Sequence, residues 1–473
     1  MDPACRPVVM KFGGTSVQDA AALRRLIETV AAEPRPRIVV VSALARVTDA
    51  LSDIADGKIR GAAAGESVHR LLERHIAIVR ELVAPARQRT LIERLHDRFE
   101  RAAAAVAGGK AERDGILAIG ELASSQIVAA VLSAAGLPSS WVDARDVIVT
   151  NDSFGAARPQ REAIAAACAR YLLPLTGAGR IPVLGGFVGS TPQGATTTLG
   201  RGGSDYTAAL VGAGAHAAEV QIWTDVDGVY TADPRVVERT ARVPYLSFHE
   251  AYELARFGAK VLHWGTLEPA AADDIPVRVL NAQRRAGAGT QVGGRAHRRA
   301  AAVVGLAHQT GVTVADLRAR GVVGSLAFLQ AAMAWLDGDG HGATVISLSP
   351  TRLVAASADA ALIERLVSAV QDVATASVSR NAGLVAVVGD GIACHASAWR
   401  VVNAVRNAGQ VDAIVTAQSG DALVCITSRH AAPPVCQTMC RAAAPAPSAR
   451  QQKRRRLEVN GETTGSIQAG AGV

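Results

Sequence analysis

The chain has 473 residues, 49% of them hydrophobic and 19% charged, which excludes disorder throughout and leaves material for roughly three domains of ordinary size. Lys+Arg 50 against Asp+Glu 42 gives a net charge of +8. Part of that excess sits in a tail from Pro447 onward, where Arg450, Lys453, Arg454, Arg455 and Arg456 face only Glu458 and Glu462; the remainder is too dilute for a nucleic-acid surface.

Pro7 to Phe12 reads as a short apolar strand ending in Gly13-Gly14-Thr15-Ser16. Ala20, Leu23, Leu26, Ile27 and Val30 then recur at helical spacing, and Ile38 to Val41 is a continuous apolar run of the kind buried on both faces of a parallel sheet. This β–loop–α–β order marks an α/β domain. Residues 66–107 alternate apolar and charged positions at helical spacing and predict an inserted helical hairpin. Ile116 to Ala135 reads as a helix, Trp141-Val142 as the start of a strand, and Ile181 to Phe187 and Gln221 to Trp223 as further strands. Phe248 to Leu262 has helical spacing, Val277 to Leu280 closes the domain as a strand, and residues 285–300, rich in Gly, Arg and Ala, read as a linker.

Shorter units follow. Val312 to Leu317 is a strand, Val323 to Leu336 a helix, Ala343 to Leu348 and Leu353 to Ala356 a strand pair, and Ala361 to Val373 a helix. A second round runs through Leu384 to Val388, the helix Ala396 to Asn407, strands Ala413 to Val415 and Ala422 to Ile426, and the helix Val435 to Ala443. Two consecutive βαββα-like units predict a tandem of small α+β modules. The boundaries expected are 1–295 for the α/β domain, 301–375 and 376–446 for the two modules, and 447–473 for a basic, disordered tail.

Six cysteines in a chain of this length are no disulfide framework. Cys436 and Cys440 share a helical face, but no CxxC pair exists, so free thiols in a reducing cytosol are expected and no structural metal site. No signal-peptide pattern and no uncharged apolar stretch of about 18 residues occurs, so a soluble, cytoplasmic protein without a membrane partner is expected.

Three glycine-rich clusters sit at strand ends of the first domain. Lys11-Phe12-Gly13-Gly14-Thr15-Ser16 lets backbone N–H groups approach an anion at a helix N-terminus, though its order is not that of a Walker A loop. Gly200-Arg201-Gly202-Gly203-Ser204-Asp205 combines a fork-shaped guanidinium, suited to a carboxylate or phosphate, with unencumbered backbone. Ser204 and Asp205 also fit an N-cap position of the helix that follows. Trp223-Thr224-Asp225-Val226-Asp227-Gly228-Val229-Tyr230 with Asp233-Pro234-Arg235 supplies turns, and acids that could hold Mg²⁺ indirectly beside a triphosphate. Each cluster alone reads as structure; together they describe a phosphate-handling site with a carboxylate-gripping Arg.

With Val41-Ser42-Ala43, Val47-Thr48, Gly120-Glu121, Thr150 to Gly155 and Phe257-Gly258-Ala259-Lys260-Val261-Leu262-His263, these segments span residues 8–263. In that order the chain resembles the aspartate kinases of the amino-acid kinase family. The resemblance implies a three-layer αβα catalytic domain with an open, mainly parallel sheet, followed by tandem ferredoxin-like ACT domains that regulate and dimerise. It implies transfer of the γ-phosphoryl of MgATP to the β-carboxylate of L-aspartate, the first step toward diaminopimelate, lysine, threonine and methionine. It casts Lys11, Asp205 and Lys260 as catalytic. Arg201 would meet the substrate's α-carboxylate and Glu121 its α-ammonium, with Thr48, Gly202, Gly203 and Ser204 completing the substrate side. Gly13, Gly14, Thr224, Asp225, Tyr230, Arg235 and Val261, together with Lys11 and Lys260, would face ATP. Only five lysines occur among 50 cations, so two of them inside glycine-flanked motifs favour a compact ammonium there.

Two departures stand out. Arg46 occupies a place where many members carry a small residue, often Gly. In the first module, Ile346 and Arg352 take positions where the lysine-sensitive class carries acids, so feedback by lysine is expected to be weak or absent, an ammonium beside Arg352 lacking its counter-ion. The competing expectations are a catalytically silent ACT regulator with a kinase-like shell, and nucleic-acid binding through the basic tail.

Overall fold

The computed structural model describes residues 6–108, 112–259, 265, 267–285, 287–293, 303–321, 325–338, 343–390, 392, 396–408 and 411–443. The tail beyond 443 and residues 260–264 lie outside them, and the helix expected over Phe248 to Leu262 is described only as Phe248–Arg256.

Strands β1 (Val8–Phe12), β2 (Arg37–Val41), β3 (Ser139–Trp141), β4 (Ile181–Gly185), β5 (Val188–Ser190), β6 (Thr196–Thr198), β7 (Glu219–Thr224), β8 (Tyr245–Leu246), β9 (Val277–Asn281) and β10 (Thr290–Val292) build the first half. Eight of them form one sheet in the order β3-β4-β2-β1-β7-β9-β10-β8, and β5 pairs with β6 apart from it. Every pairing in the large sheet is parallel except β9 with β10. The five residues of β1 are all buried, as a central parallel strand requires. Its register places Lys11 beside Val40 of β2 and Ile222 of β7.

The expected hairpin is present as the helices Gly61–Leu82 and Pro85–Ala107. They pack on the helix Ile119–Ala134. The stretch 113–134 is long and apolar enough to cross a bilayer, yet it is buried inside the fold, where the hairpin covers it on one side and β3 and β4 on the other. Residues 285–300, read from sequence as a linker, hold β10, which adds an antiparallel strand to β9. Three residues are too few to show a period, and Gly289 and Gly293, both at positive φ, isolate them.

The second half is a six-stranded antiparallel sheet of β11 (Gly305–Ala319), β12 (Thr344–Ser349), β13 (Arg352–Ser357), β14 (Ala374–Val388), β15 (Ala413–Thr416) and β16 (Ala422–Ser428), in the order β12-β13-β11-β14-β16-β15. The two units do not simply follow one another. The first part of β11 pairs only with the end of β14 (Gly305 with Val388), while its second part pairs with both β13 and the start of β14. Residues 312–379 thus form one βαββαβ unit whose first and last strands run on into a second, which uses 305–311 as its edge. Sequence reading found only the apolar cores of these two 15-residue strands, because Gly305–Gly311 and Thr375–Asn381 are polar or small apart from Leu306 and Val378; the latter stretch is solvent-exposed. The four described cysteines are free, and burial pushes Cys168, Cys425 and Cys436 up to about 12.

Candidate active site

Parallel strands end together, and ligands of open α/β sheets bind at that edge. Here the carboxyl ends of β1, β2 and β4, with the loops after them, surround a cavity of about 740 Å³. Four cations (Lys11, Arg46, Arg113, Arg201) and three carboxylates (Asp49, Glu121, Asp205) line it. Such a lining suits a small zwitterion that carries excess negative charge.

Lys11 is 8% exposed, and its Nζ lies 2.6 Å from Asp205 Oδ1. Asp205 falls in the first turn of the helix Gly203–Gly214, where the helix dipole favours a carboxylate. The N-cap is Gly202 at φ 75, not Ser204 or Asp205, and no side chain caps this helix. Asp205 is therefore left to meet Lys11. Gly202, Gly203 and Ser204 line the same cavity, as do Thr48 and Gly14.

Glu121 opens the helix Ile119–Ala134 and is fully enclosed. Gly120 makes this possible: a Cβ there would stand 2.7 Å from Ala43 Cβ, so only glycine lets the helix approach the loop after β2. Burial pushes Glu121 up to about 8, although its carboxylate accepts backbone hydrogen bonds from Ala43 and from its own N–H, and Lys11 pulls the other way. Its Oε2 has no partner. An unpartnered buried carboxylate oxygen costs about 1–3 kcal/mol, and a donor from a ligand would relieve it.

The stretch matched to the nucleotide is spread more widely. Gly13 donates its N–H to Trp223 O at 3.2 Å, on the strand beside Lys11. Thr224 and Asp225 line a crevice of only about 10 Å³ with Phe12 and Ser16, outside the large cavity. The Tyr230 hydroxyl reaches Asp227 Oδ2 at 3.4 Å, and Arg235 is exposed and pairs with Asp233 at 2.7 Å. Lys260 and Val261 lie outside the described residues. This stretch also rests on the C-terminal half: Leu306 N–H donates to Thr231 O at 2.8 Å, and Gln437 donates to Val236 O at 2.9 Å.

Two cavity residues, Arg113 and Phe187, and a buried neighbour, Asp114, escaped sequence reading. Arg113 lines the cavity and pairs with Asp56 at 3.1 Å. Asp114, buried, accepts from Gly155 N–H and Thr198 N–H, both at 2.8 Å, and so ties the helix bearing Glu121's neighbours to β6. Phe187, at φ 65, ends the strand two residues earlier than its apolar pattern predicted and packs where Gly203 leaves room. None belongs to a patterned motif. Among the described residues no group of three or more His, Cys, Asp or Glu converges as a metal site.

The amino acid kinase family model matches residues 6–281. Lysine-sensitive aspartokinase 3 of Escherichia coli (strain K12) is 43% identical over 287 residues, 60% of this chain and 64% of that protein, so the alignment spans less than two thirds of that relative. Chloroplastic aspartokinase 1 of Arabidopsis thaliana is 29% identical over 81% of this chain and 70% of its own length. Among solved structures, E. coli aspartokinase III in complex with aspartate and ADP (R-state) superposes with a TM-score of 0.79 at 33% identity, covering 92% of this chain and 99% of that one. The same enzyme with lysine and aspartate (T-state) gives 0.72, also at 33% identity, over 93% of this chain and 99% of that one. Family model, motif order and superposition agree: the chain belongs to the amino acid kinase family and, within it, to the aspartokinases.

Proposed function

We propose that this protein transfers the γ-phosphoryl of MgATP to the β-carboxylate of L-aspartate, giving 4-phospho-L-aspartate. The observation that carries the reading is the cavity itself, with a buried carboxylate, Glu121, facing the same space as Lys11 and Arg201. Aspartate has one ammonium and two carboxylates, the inverse of that set. Arg201 takes the α-carboxylate and Glu121 the α-ammonium; Thr48 and Ser204 add hydrogen bonds, and the Gly202-Gly203 backbone lets the substrate approach closely.

The β-carboxylate is already a nucleophile, so no general base is needed. What the reaction requires is alignment of two anions and neutralisation of charge spreading over the transferring group. Lys11 supplies that charge, Asp205 fixes its position, and Lys260 serves the phosphates from the nucleotide side. Gly13, Gly14, Thr224, Asp225, Tyr230, Arg235 and Val261 form that side. Mg²⁺ arrives with the nucleotide and offsets its phosphate charge.

The same reading assigns 1–295 to the kinase unit with its 66–107 hairpin, the segment from about 301 to 446 to two ACT-like modules, and 447–473 to a tail. It makes the protein a cytoplasmic homodimer or larger assembly through those modules, which can take an amino-acid effector, with feedback by lysine weak or absent. The deciding experiment is ADP release that depends on L-aspartate, with the acyl phosphate trapped as a hydroxamate. Lys11→Ala should abolish both signals. A folded wild type that releases no ADP with aspartate present would make the chain a silent regulator.

A further inference from the structure

The helix Arg113–Leu117 and its continuation Ile119–Ala134 present two working faces. Arg113, Leu117 and Glu121, four apart, turn to the catalytic cavity. Glu112, Ile119, Leu122 and Gln126 turn the other way and close a separate cavity of about 470 Å³ against the hairpin helix Pro85–Ala107.

Four guanidinium groups line this second space: Arg94, Arg98 and Arg101 from one face of the hairpin helix, and Arg145 from across it. Two of the nearby acids are engaged, while Glu112 also lines the space. Asp97 pairs with Arg101, and Asp143 holds Arg145 through contacts of 2.6 and 3.0 Å. Two buried polar atoms in the walls have no partner, Arg98 Nε and Gln126 Oε1. Gln126 is only 7% exposed. Burial holds the Arg98 guanidinium below its ordinary pKa, and the like charges of Arg145 and Arg101 act in the same direction against Asp143 and Asp97. A site that concentrates arginines, leaves one N–H without an acceptor and leaves an amide oxygen without a donor lacks a specific complement. That complement offers several acceptor oxygens and one hydrogen.

We propose that this arginine-lined cavity binds a small multivalent oxyanion bearing at least one O–H or N–H donor, of which hydrogen phosphate is the simplest example. Guanidinium forks match such oxyanions bidentately. The site is wired to the catalytic cavity by two elements. One is the helix that carries Glu121 on its opposite face. The other is β6: Thr196, 3.5 Å from Arg145 Nη1, lines the arginine cavity, and Thr198, two residues on, lines the catalytic one just before Gly200-Arg201. Occupancy therefore biases the positions of Glu121 and Arg201, a coupling that acts on affinity for the amino-acid substrate.

The test is thermal unfolding of the full chain with inorganic phosphate at constant ionic strength, with ADP and aspartate saturating so that the catalytic cavity is filled. The wild type should show a saturable rise in midpoint that chloride does not produce. Arg98→Gln should need at least tenfold more phosphate for the same rise. So should Arg94→Gln, an exposed position whose replacement leaves the fold intact. No saturable rise in the wild type, or equal rises in all three proteins, would overturn the site. In turnover assays phosphate should shift the aspartate KM at least twofold in the wild type and not in the variants. This arm rests on the proposed aspartate kinase activity, as does the filling of the catalytic cavity by ADP and aspartate; the Arg94 and Arg98 variants locate the phosphate effect without it, and binding with an unmoved KM would overturn the coupling.

Discussion

Lys11 Nζ and Asp205 Oδ1 stand 2.6 Å apart, one at the end of a central strand and the other in the first turn of a helix that begins almost two hundred residues later. Both side chains are mostly enclosed, so water screens the pair little. The contact fixes where a positive charge sits in the cavity.

Lys11→Met removes that charge and should lower kcat by about 10³-fold or more. Asp205→Asn keeps the charge but loosens its position and should cost about 10²-fold. Because the two act as a unit, adding Asp205→Asn to Lys11→Met should cost little further. Steady-state kcat of the three variants checks this; an Asp205→Asn enzyme within threefold of wild type would break the link between the ion pair and turnover.

Glu121 gives a pH dependence with a definite sign. Its carboxyl titrates near 8 in the folded chain because it is buried, against an ordinary value of 4.5. Between those values the folded state holds more protons than the unfolded state, so stability falls as pH rises from 4.5 to 8 and levels off above. Glu121→Gln should abolish that fall, which amounts to a few kcal/mol over the whole window. An aspartate ammonium needs the charged form, so the aspartate KM of the wild type should drop as pH rises from 6 toward 8, by up to about tenfold per unit. Denaturation midpoints and KM across this range check both, and a flat KM profile would remove Glu121 from ammonium binding.

How much of this was legible beforehand follows from what each residue depends on. Lys11, Arg201 and Asp205 sit in short glycine-flanked strings whose local chemistry names them, and the sheet then gathers them. The parallel strands were readable because burial on both faces leaves continuous apolar runs. Asp114 and Arg113 carry no such mark, since their value comes from β6 and from Asp56, distant in sequence. The same holds for β11 and β14. Half of each is polar, and only the pairing of Gly305 with Val388 across the sheet shows that the two units share strands.

Arg352 bears on regulation. It meets Asp316 on the adjacent region of the sheet through two hydrogen bonds, of 2.8 and 3.0 Å. Although burial pushes the other way, those bonds and the charges of Arg352 and Arg318 hold the Asp316 carboxyl below its ordinary value. Ile346, the other position where an acid was expected, is fully buried. Asp316 is thus already neutralised from within the chain and is not free to pair with a lysine side chain. Activity should stay above half its maximum at millimolar lysine. A dose series with strong inhibition below 1 mM would defeat this.

Arg46 combines strain with proximity to the substrate. It precedes the helix Val47–Ala55 in the left-handed region, at φ 67 and ψ 2, and its side chain borders the catalytic cavity. A Cβ in that conformation costs about 1–2 kcal/mol, whereas glycine adopts it freely but loses more chain entropy on folding. Arg46→Gly should therefore stabilise the protein by a net of about 0.5 kcal/mol, and Arg46→Ala, which keeps the Cβ, should not. Both remove a guanidinium from the cavity rim, so both should raise the aspartate KM two- to fivefold, about 0.4–1 kcal/mol of lost attraction at a solvated site. Urea midpoints separate backbone from charge: if the alanine variant gained as much stability as the glycine variant, the left-handed conformation would not be the source of strain. If KM stayed unchanged in both, the Arg46 side chain would point to solvent and take no part in drawing the substrate in.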